Sequence, residues 1–476
     1  MPSAFGMACI VELRGTADAL LREIVADGLP RLVRALGEQD RELPRFVTRE
    51  FASYLGCRGP EKGFAWLECA DCEHHRLVLF SCKTRGFCPS CAGRRMAETS
   101  VYWVDRVIPW VATRQWVITV PFRRRWLLAR RTDLVDGVLR VALRRITRWY
   151  RKATGRPRGK SGAVTSIQRF GSALNLNVHF HVVHLDGVYD CGADAALRFF
   201  QATPTNEDIE ALAVDIATAC ERWLSARGFS GEAHDDDPDV GEDDAQGFLQ
   251  LASLMGMAAT GERAGKKARR TQRLGGREIA LGPRCAAFEG YNIHANVSFG
   301  ASDRGGLERL CRYVLRPPLA LGRLERLPNG RVLLRFKGAW SDGTTGIELS
   351  TQEFVEKLAA IVPPPRANQV LYAGVLAGNA ALRAEVVPKV PTSTEAEREA
   401  RAALKRVKAE SRRETTARAE ERRCWAELLK RVFEVDGWAC PHCNKPMKLR
   451  SIVIREPATT QVVSGLLRAT GPPAAA

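Results

Sequence analysis

Residues 174–183 read Leu174-Asn175-Leu176-Asn177-Val178-His179-Phe180-His181-Val182-Val183. Asn175, Asn177, His179 and His181 alternate with Leu174, Leu176, Val178, Phe180 and Val182. A period of two over this length predicts a half-buried β-strand. Its polar face ends in two imidazoles, two residues apart and pointing the same way. That geometry suits a shared divalent metal, although a solvated strand face carrying histidines would show the same pattern. His184 has the opposite parity and should face away.

Upstream, Val164-Thr-Ser-Ile-Gln168-Arg-Phe170 predicts a second strand, and Gly171-Ser172 predicts the turn of a hairpin. If the two strands pair antiparallel, Gln168 could project beside the histidines as a third ligand, with the register left open. Tyr291–Phe299 alternates again and reads as a further strand of the same sheet.

The chain has 476 residues, a formal charge of +18 and a sequence pI near 9.6. That length predicts about three domains. A chain this basic suits polyanions, with nucleic acid first. The N-terminus lacks a basic region followed by an apolar run, and no segment approaches the length of a membrane span. These features predict a cytoplasmic protein with no membrane partner.

Fourteen cysteines cluster in Cys-x-x-Cys pairs, which favours metal binding over disulfides. Cys69-Ala-Asp-Cys72 and Cys88-Pro-Ser-Cys91 have the spacing of a structural zinc site, and four thiolates would close a tetrahedron. Cys57, His74, His75 and Cys82 lie close by, for a second site, a replaced ligand or a structural role. Cys440-Pro-His-Cys443 has no second Cys pair after it; as one half of a zinc site it could be completed by other residues or by another chain.

The segment Pro121–Lys160 holds fourteen Lys and Arg against two Asp. Leu134, Val138, Val141, Leu143 and Ile146 give it a helical apolar stripe. It therefore predicts an ordered helix with a cationic face for DNA, with Arg123, Arg124 and Arg125 as contacts. A second basic helix, Leu307–Arg316, follows a capping Ser302 or Asp303 and stops at Pro317-Pro318. It carries Tyr313, with Arg309 and Arg316 on the same face and Arg312 beside it. Guanidiniums there offer forks for a phosphate. A structural tyrosine at a helix end is the alternative.

Together, His179-Phe-His181, Leu307–Ala320 around Tyr313, Cys69–Cys91 and Trp340-Ser-Asp-Gly-Thr-Thr345 resemble the rolling-circle insertion-sequence transposases of the insertion sequence 91 type. These belong to the His-hydrophobic-His single-strand endonuclease superfamily. The resemblance implies an α+β fold: a ferredoxin-like antiparallel sheet with an N-terminal zinc-binding domain and helical additions. It implies a histidine-bound Mg²⁺ or Mn²⁺, here on His179 and His181 with Gln168 as third ligand only if the hairpin register allows, Tyr313 as nucleophile with Arg316 beside it, and a 5′-phosphotyrosine intermediate. Two-tyrosine relatives carry a second Tyr where Arg309 stands, so the chain resembles the single-tyrosine branch.

The implied organisation is a helical and zinc-binding domain over 1–105, a catalytic domain over 106–345 with an insertion at about 201–285, and a C-terminal helical region over 346–476. Partners would be single-stranded DNA at element ends and target DNA, with self-association open. A plasmid replication initiator or relaxase, or a non-catalytic zinc-dependent DNA-binding protein, are the rival readings.

Overall fold

The computed structural model describes residues 9–11, 16–59, 62–192, 194–230, 244–272, 282–388, 431–432 and 437–454. The acidic run near 232–243, the Arg/Glu-rich stretch 395–427 and the Ala-rich end lie outside them.

At the centre is a wholly antiparallel sheet of seven strands. In spatial order these are Cys285–Phe288, Tyr291–His294, Thr113–Thr119, Leu176–Leu185, Gly162–Phe170 and Val370–Gly374, with Ser298–Phe299 also paired to Thr113–Thr119. The alternating stretch is the long strand Leu176–Leu185, next to the middle of this sheet. Helices cover both of its faces. Leu176, Val178, Phe180 and Val182 form one core with Val138, Leu139, Ala142 and Ile146 of the helix Thr132–Ala153. Val183 and Leu185 form another with Leu307, Leu310, Cys311 and Val314 of the helix Arg304–Val314. Each large apolar side chain so buried contributes about 1.5–3 kcal/mol. The strand is therefore buried on both sides, not half-buried, and His181 is only 3% exposed.

Gly137 sits inside the basic helix because a neighbour needs the space. A Cβ there would stand 2.0 Å from the ring of Trp223. Trp223 comes from the helix Asn206–Ser225, which shares the Thr132–Ala153 core, so this part of the expected insertion is built into the central unit.

The expected C-terminal region, 346–476, is likewise distributed. Thr351–Ile361 packs on the N-terminal helix Thr16–Gly37, and Val370–Gly374 borders the central sheet. Met447–Val453 pairs antiparallel with Phe64–Cys69, in a four-stranded N-terminal sheet with His75–Leu79 and Cys9–Val11. A third four-stranded sheet joins Leu324–Arg326, Val332–Arg335, Thr344–Leu349 and Arg269–Gln272. Among the described residues no helix is long and apolar enough to cross a membrane.

Candidate active site and zinc clusters

The hairpin register sets Gln168 directly opposite His179. Both therefore share a face with His181, two residues along the strand. The His179 and His181 rings lie 5.0 Å apart between centroids. Over them runs the helix Arg304–Val314, whose first turn is capped by the Asp303 carboxylate accepting from the Gly306 N–H at 2.7 Å. It carries Tyr313 to 5.8 Å from His181, ring edge against ring face. The Gln168 amide donates to the Val314 carbonyl at 2.7 Å, tying the strand to the end of this helix.

Two polar atoms are orphaned in the buried interior of this group: Oε1 of Gln168 and Nε2 of His181. Such atoms cost free energy unless something binds them. His179 sets its own tautomer. Its Nδ1 lies 3.0 Å from the Asn177 carbonyl, which can only accept, so Nδ1 holds the proton and Nε2 keeps its lone pair. Burial pushes the pKa of His179 down to about 4, and the charges of Arg316 and Arg125 act in the same direction. Burial also pushes His181 well down, helped by His179 and Arg316. Both rings are thus neutral near pH 7, the form in which imidazole binds metal. Two imidazole nitrogens and one amide oxygen are a donor set that fits a divalent cation of the Mn²⁺ or Mg²⁺ type.

The seven tyrosines are all described, and Tyr313, at 42%, is the exposed one. The Arg316 guanidinium stands over its ring, 4.7 Å from the centroid. Arg309 is exposed one turn earlier on the helix. Arg312 instead donates to the Val432 carbonyl at 2.9 Å. His184 faces the opposite side of the sheet, stacked on Tyr150.

The group Arg123, Arg124 and Arg125 divides. Arg124 is wholly buried, forked onto Glu221 at 2.6 and 3.2 Å and bonded to the Phe229 carbonyl, so it cannot meet a phosphate. By charge alone the three form one cationic patch. The helix Phe122–Arg130 turns each residue about 100° from the last, and the middle one points inward. Arg123 is exposed, and Arg125 is half-buried on the histidine side. The helix Thr132–Ala153 covers the sheet face opposite Tyr313, so its exposed Arg140, Arg144 and Arg148 lie away from the site.

The zinc expectation needs correction. Cys69, Cys72, Cys88 and Cys91 do not share one site. Cys88 and Cys91 group with Cys57 and Cys82, while Cys69 and Cys72 group with Cys440 and Cys443. In each group all sulfurs lie within 4.8 Å of one another. Phe64–Cys69 and His75–Leu79 form a hairpin that carries the Cys69–Cys72 turn away from the Cys88 turn, and spacing alone could not register this. The first group shows S–S distances of 3.3, 3.6 and 4.0 Å, close to the ~3.8 Å edge of a tetrahedron of Zn–S bonds. Cys88 immediately precedes the helix Pro89–Arg106, without a side-chain cap bond, and this helix packs against the tyrosine helix. There Arg304 donates to the carbonyls of Val104, Ile108 and Pro109.

Gln115 was not singled out from the sequence. Its side-chain amide lies 3.0 Å from Nδ1 of His181. Alternation in Thr113–Thr119 places it opposite Trp116, but its meeting with His181 depends on strand register.

A family model described as "Putative transposase" matches residues 162–383, from the histidine hairpin through Tyr313. A second, "Transposase zinc-binding domain", matches residues 30–120 and contains six of the eight clustered cysteines. No curated protein and no solved structure matches the chain. The chain belongs to the insertion sequence 91 type of transposase and carries that family's zinc-binding domain near its N-terminus. Membership makes DNA its substrate and implies cleavage and strand transfer.

Proposed function

We propose that this transposase cuts and rejoins single-stranded DNA through a covalent bond to Tyr313, by the rolling-circle route. The observation that carries the reading is the buried pair of orphaned atoms, Gln168 Oε1 and His181 Nε2, directly beside the exposed Tyr313.

Tyr313 gives up its phenolic proton, and its Oη attacks the scissile phosphorus. The new bond is Tyr Oη–P at the 5′ side; the bond broken is P–O3′, and the departing oxygen takes a proton to become a free 3′-OH. Phosphodiester is exchanged for phosphodiester, so rejoining needs no ATP. Arg316, stacked on the phenol ring, holds the nucleophile and offers its fork to a phosphate oxygen. Arg125 adds positive charge on the histidine side. His179, His181 and Gln168 would hold a Mg²⁺ or Mn²⁺, which when bound supplies Lewis-acid polarisation of the phosphate. With one exposed tyrosine, each chain offers one nucleophile, which favours the single-tyrosine scheme. The antiparallel sheet with helices on both faces is consistent with the ferredoxin-like core of His-hydrophobic-His endonucleases.

The test is a labelled single-stranded oligonucleotide carrying the element terminus, incubated with the protein and Mn²⁺. A protein-linked label that maps to Tyr313 supports the reading. Cleavage without a covalent product, or a product on another residue, overturns it.

A further inference from the structure

We propose that Cys69, Cys72, Cys440 and Cys443 form a second zinc site, which fastens the C-terminal segment to the N-terminal sheet and so keeps Arg431 clamped on the tyrosine helix. The matched zinc-binding domain ends at residue 120, so Cys440 and Cys443 lie outside it.

The two half-sites are built alike. The Cys69 N–H donates to the His74 carbonyl at 2.9 Å, and the Cys440 N–H donates to the Lys445 carbonyl at 2.8 Å, in each case five residues on. Glu73 and Asn444, each four residues after the first cysteine, both adopt positive φ, 53° and 58°. Two separate segments thus fold into the same tight turn, which aims both thiols of each pair at a common point. Sulfurs from the two turns lie 3.4 Å apart for Cys69 and Cys443 and 3.6 Å apart for Cys72 and Cys440, near the ~3.8 Å edge of a zinc tetrathiolate. Four thiols brought this close from sequence positions 368 and 374 residues apart need a reason to stay. No disulfide joins them, and metal binding supplies folding energy outright.

The strand after the second turn, Met447–Val453, lies along Phe64–Cys69 and adds an ion pair, Arg450 to Glu68 at 3.2 Å. Before it, Arg431 bridges two helices. Its guanidinium meets Asp105 of Pro89–Arg106 at 2.8 and 3.0 Å and Glu308 of the tyrosine helix at 2.7 Å. Val432 packs on Ala97 and Val101, and its carbonyl takes the Arg312 N–H. Glu308 and Arg312 are on the same short helix as Tyr313. The C-terminal segment therefore reaches the nucleophile's helix on one side and the second thiolate cluster on the other.

The test reads metal content and helix protection, not DNA cleavage, so it stands apart from the strand-cleavage proposal. Metal-free wild-type chain titrated with Co²⁺ should develop tetrathiolate charge-transfer absorbance to two equivalents. Cys440→Ser/Cys443→Ser should stop at one. In that variant, amide exchange over residues 304–314 should quicken by about tenfold or more. Arg431→Ala should quicken it likewise while still binding two. Saturation of the wild type at one equivalent would overturn the site. Unchanged exchange at 304–314 in either variant would overturn the clamp. Should the double serine variant fail to fold, the wild-type titration and Arg431→Ala decide the matter.

Discussion

The ring of Tyr313 stands perpendicular to that of His181, with planes at 89° and centroids 5.8 Å apart. One side chain comes from a helix above the sheet and the other from the sheet itself. The contact therefore separates the two proposed functions, nucleophile and ligand, and mutation can address them one at a time.

Tyr313→Phe keeps the ring and its contact with Arg316 but removes the attacking oxygen. It should abolish covalent DNA–protein product while leaving oligonucleotide affinity within about twofold, because a surface hydroxyl contributes little to binding. His181→Ala should lose both product and Mn²⁺ binding. Added Mn²⁺ should rescue the histidine variant in part and the phenylalanine variant not at all. Gel analysis of the covalent adduct across Mn²⁺ concentrations distinguishes them.

Gln115 should tune the His181 site. Metal on Nε2 requires the proton on Nδ1; the Gln115 NH2 group faces Nδ1 at 3.0 Å, and turning the amide over puts its oxygen there to accept from Nδ1–H. Gln115→Leu removes that acceptor at similar volume. Mn²⁺ affinity measured by calorimetry should fall by about 10–100-fold. Equal affinity in the variant would mean that Gln115 does not orient the ring.

Cys88→Ser should release one zinc and unsettle the start of the helix Pro89–Arg106, which Cys88 immediately precedes and which carries Cys91 in its first turn. Because metal binding and folding are coupled, the loss should appear as a lower melting temperature together with the lower zinc content. Unchanged zinc by elemental analysis would exclude Cys88 as a ligand.

The basic residues should sort by burial. Arg124→Ala leaves Glu221 without its fork and should cost about 3–5 kcal/mol of stability in urea unfolding. Arg140, Arg144 and Arg148 are exposed at four-residue spacing on one helix face. If single-stranded DNA follows that face, replacing all three with Gln should weaken every sequence alike and flatten the salt slope by about 2. A loss confined to one sequence would argue for base reading instead.

Acid should destabilise the protein through its buried histidines. Burial pushes His184 down to about 4, so the folded state binds fewer protons than the unfolded state below pH ~6.5. This contribution, about 3 kcal/mol at most, is complete above pH ~6.5 and is lost as pH falls towards 4. His184→Gln should show a smaller drop in urea midpoint between pH 7 and pH 4.5 than the parent chain. An equal drop would place the acid sensitivity elsewhere.

Alternation within residues 174–183 was sufficient to predict a strand and to set His179 and His181 on one face with His184 on the other, because side chains in a strand alternate whatever surrounds them. Local chemistry likewise placed a helix around Tyr313 with Ser302 or Asp303 as its cap; the structure uses Asp303 and runs the helix over Arg304–Val314 rather than Leu307–Arg316. The zinc partners depended on tertiary structure. Cys-x-x-Cys turns say that a thiol pair is ready but not which pair it meets, and here Cys69–Cys72 meets Cys440–Cys443 from the other end of the chain. Register decided that Gln168 stands beside His179, since a one-residue slip would have turned it to the opposite face. Burial of Arg124 was equally invisible, because charge counts carry no direction around a helix. Sequence periodicity is a property of one element, whereas ligand sets, registers and buried ion pairs arise where two elements meet.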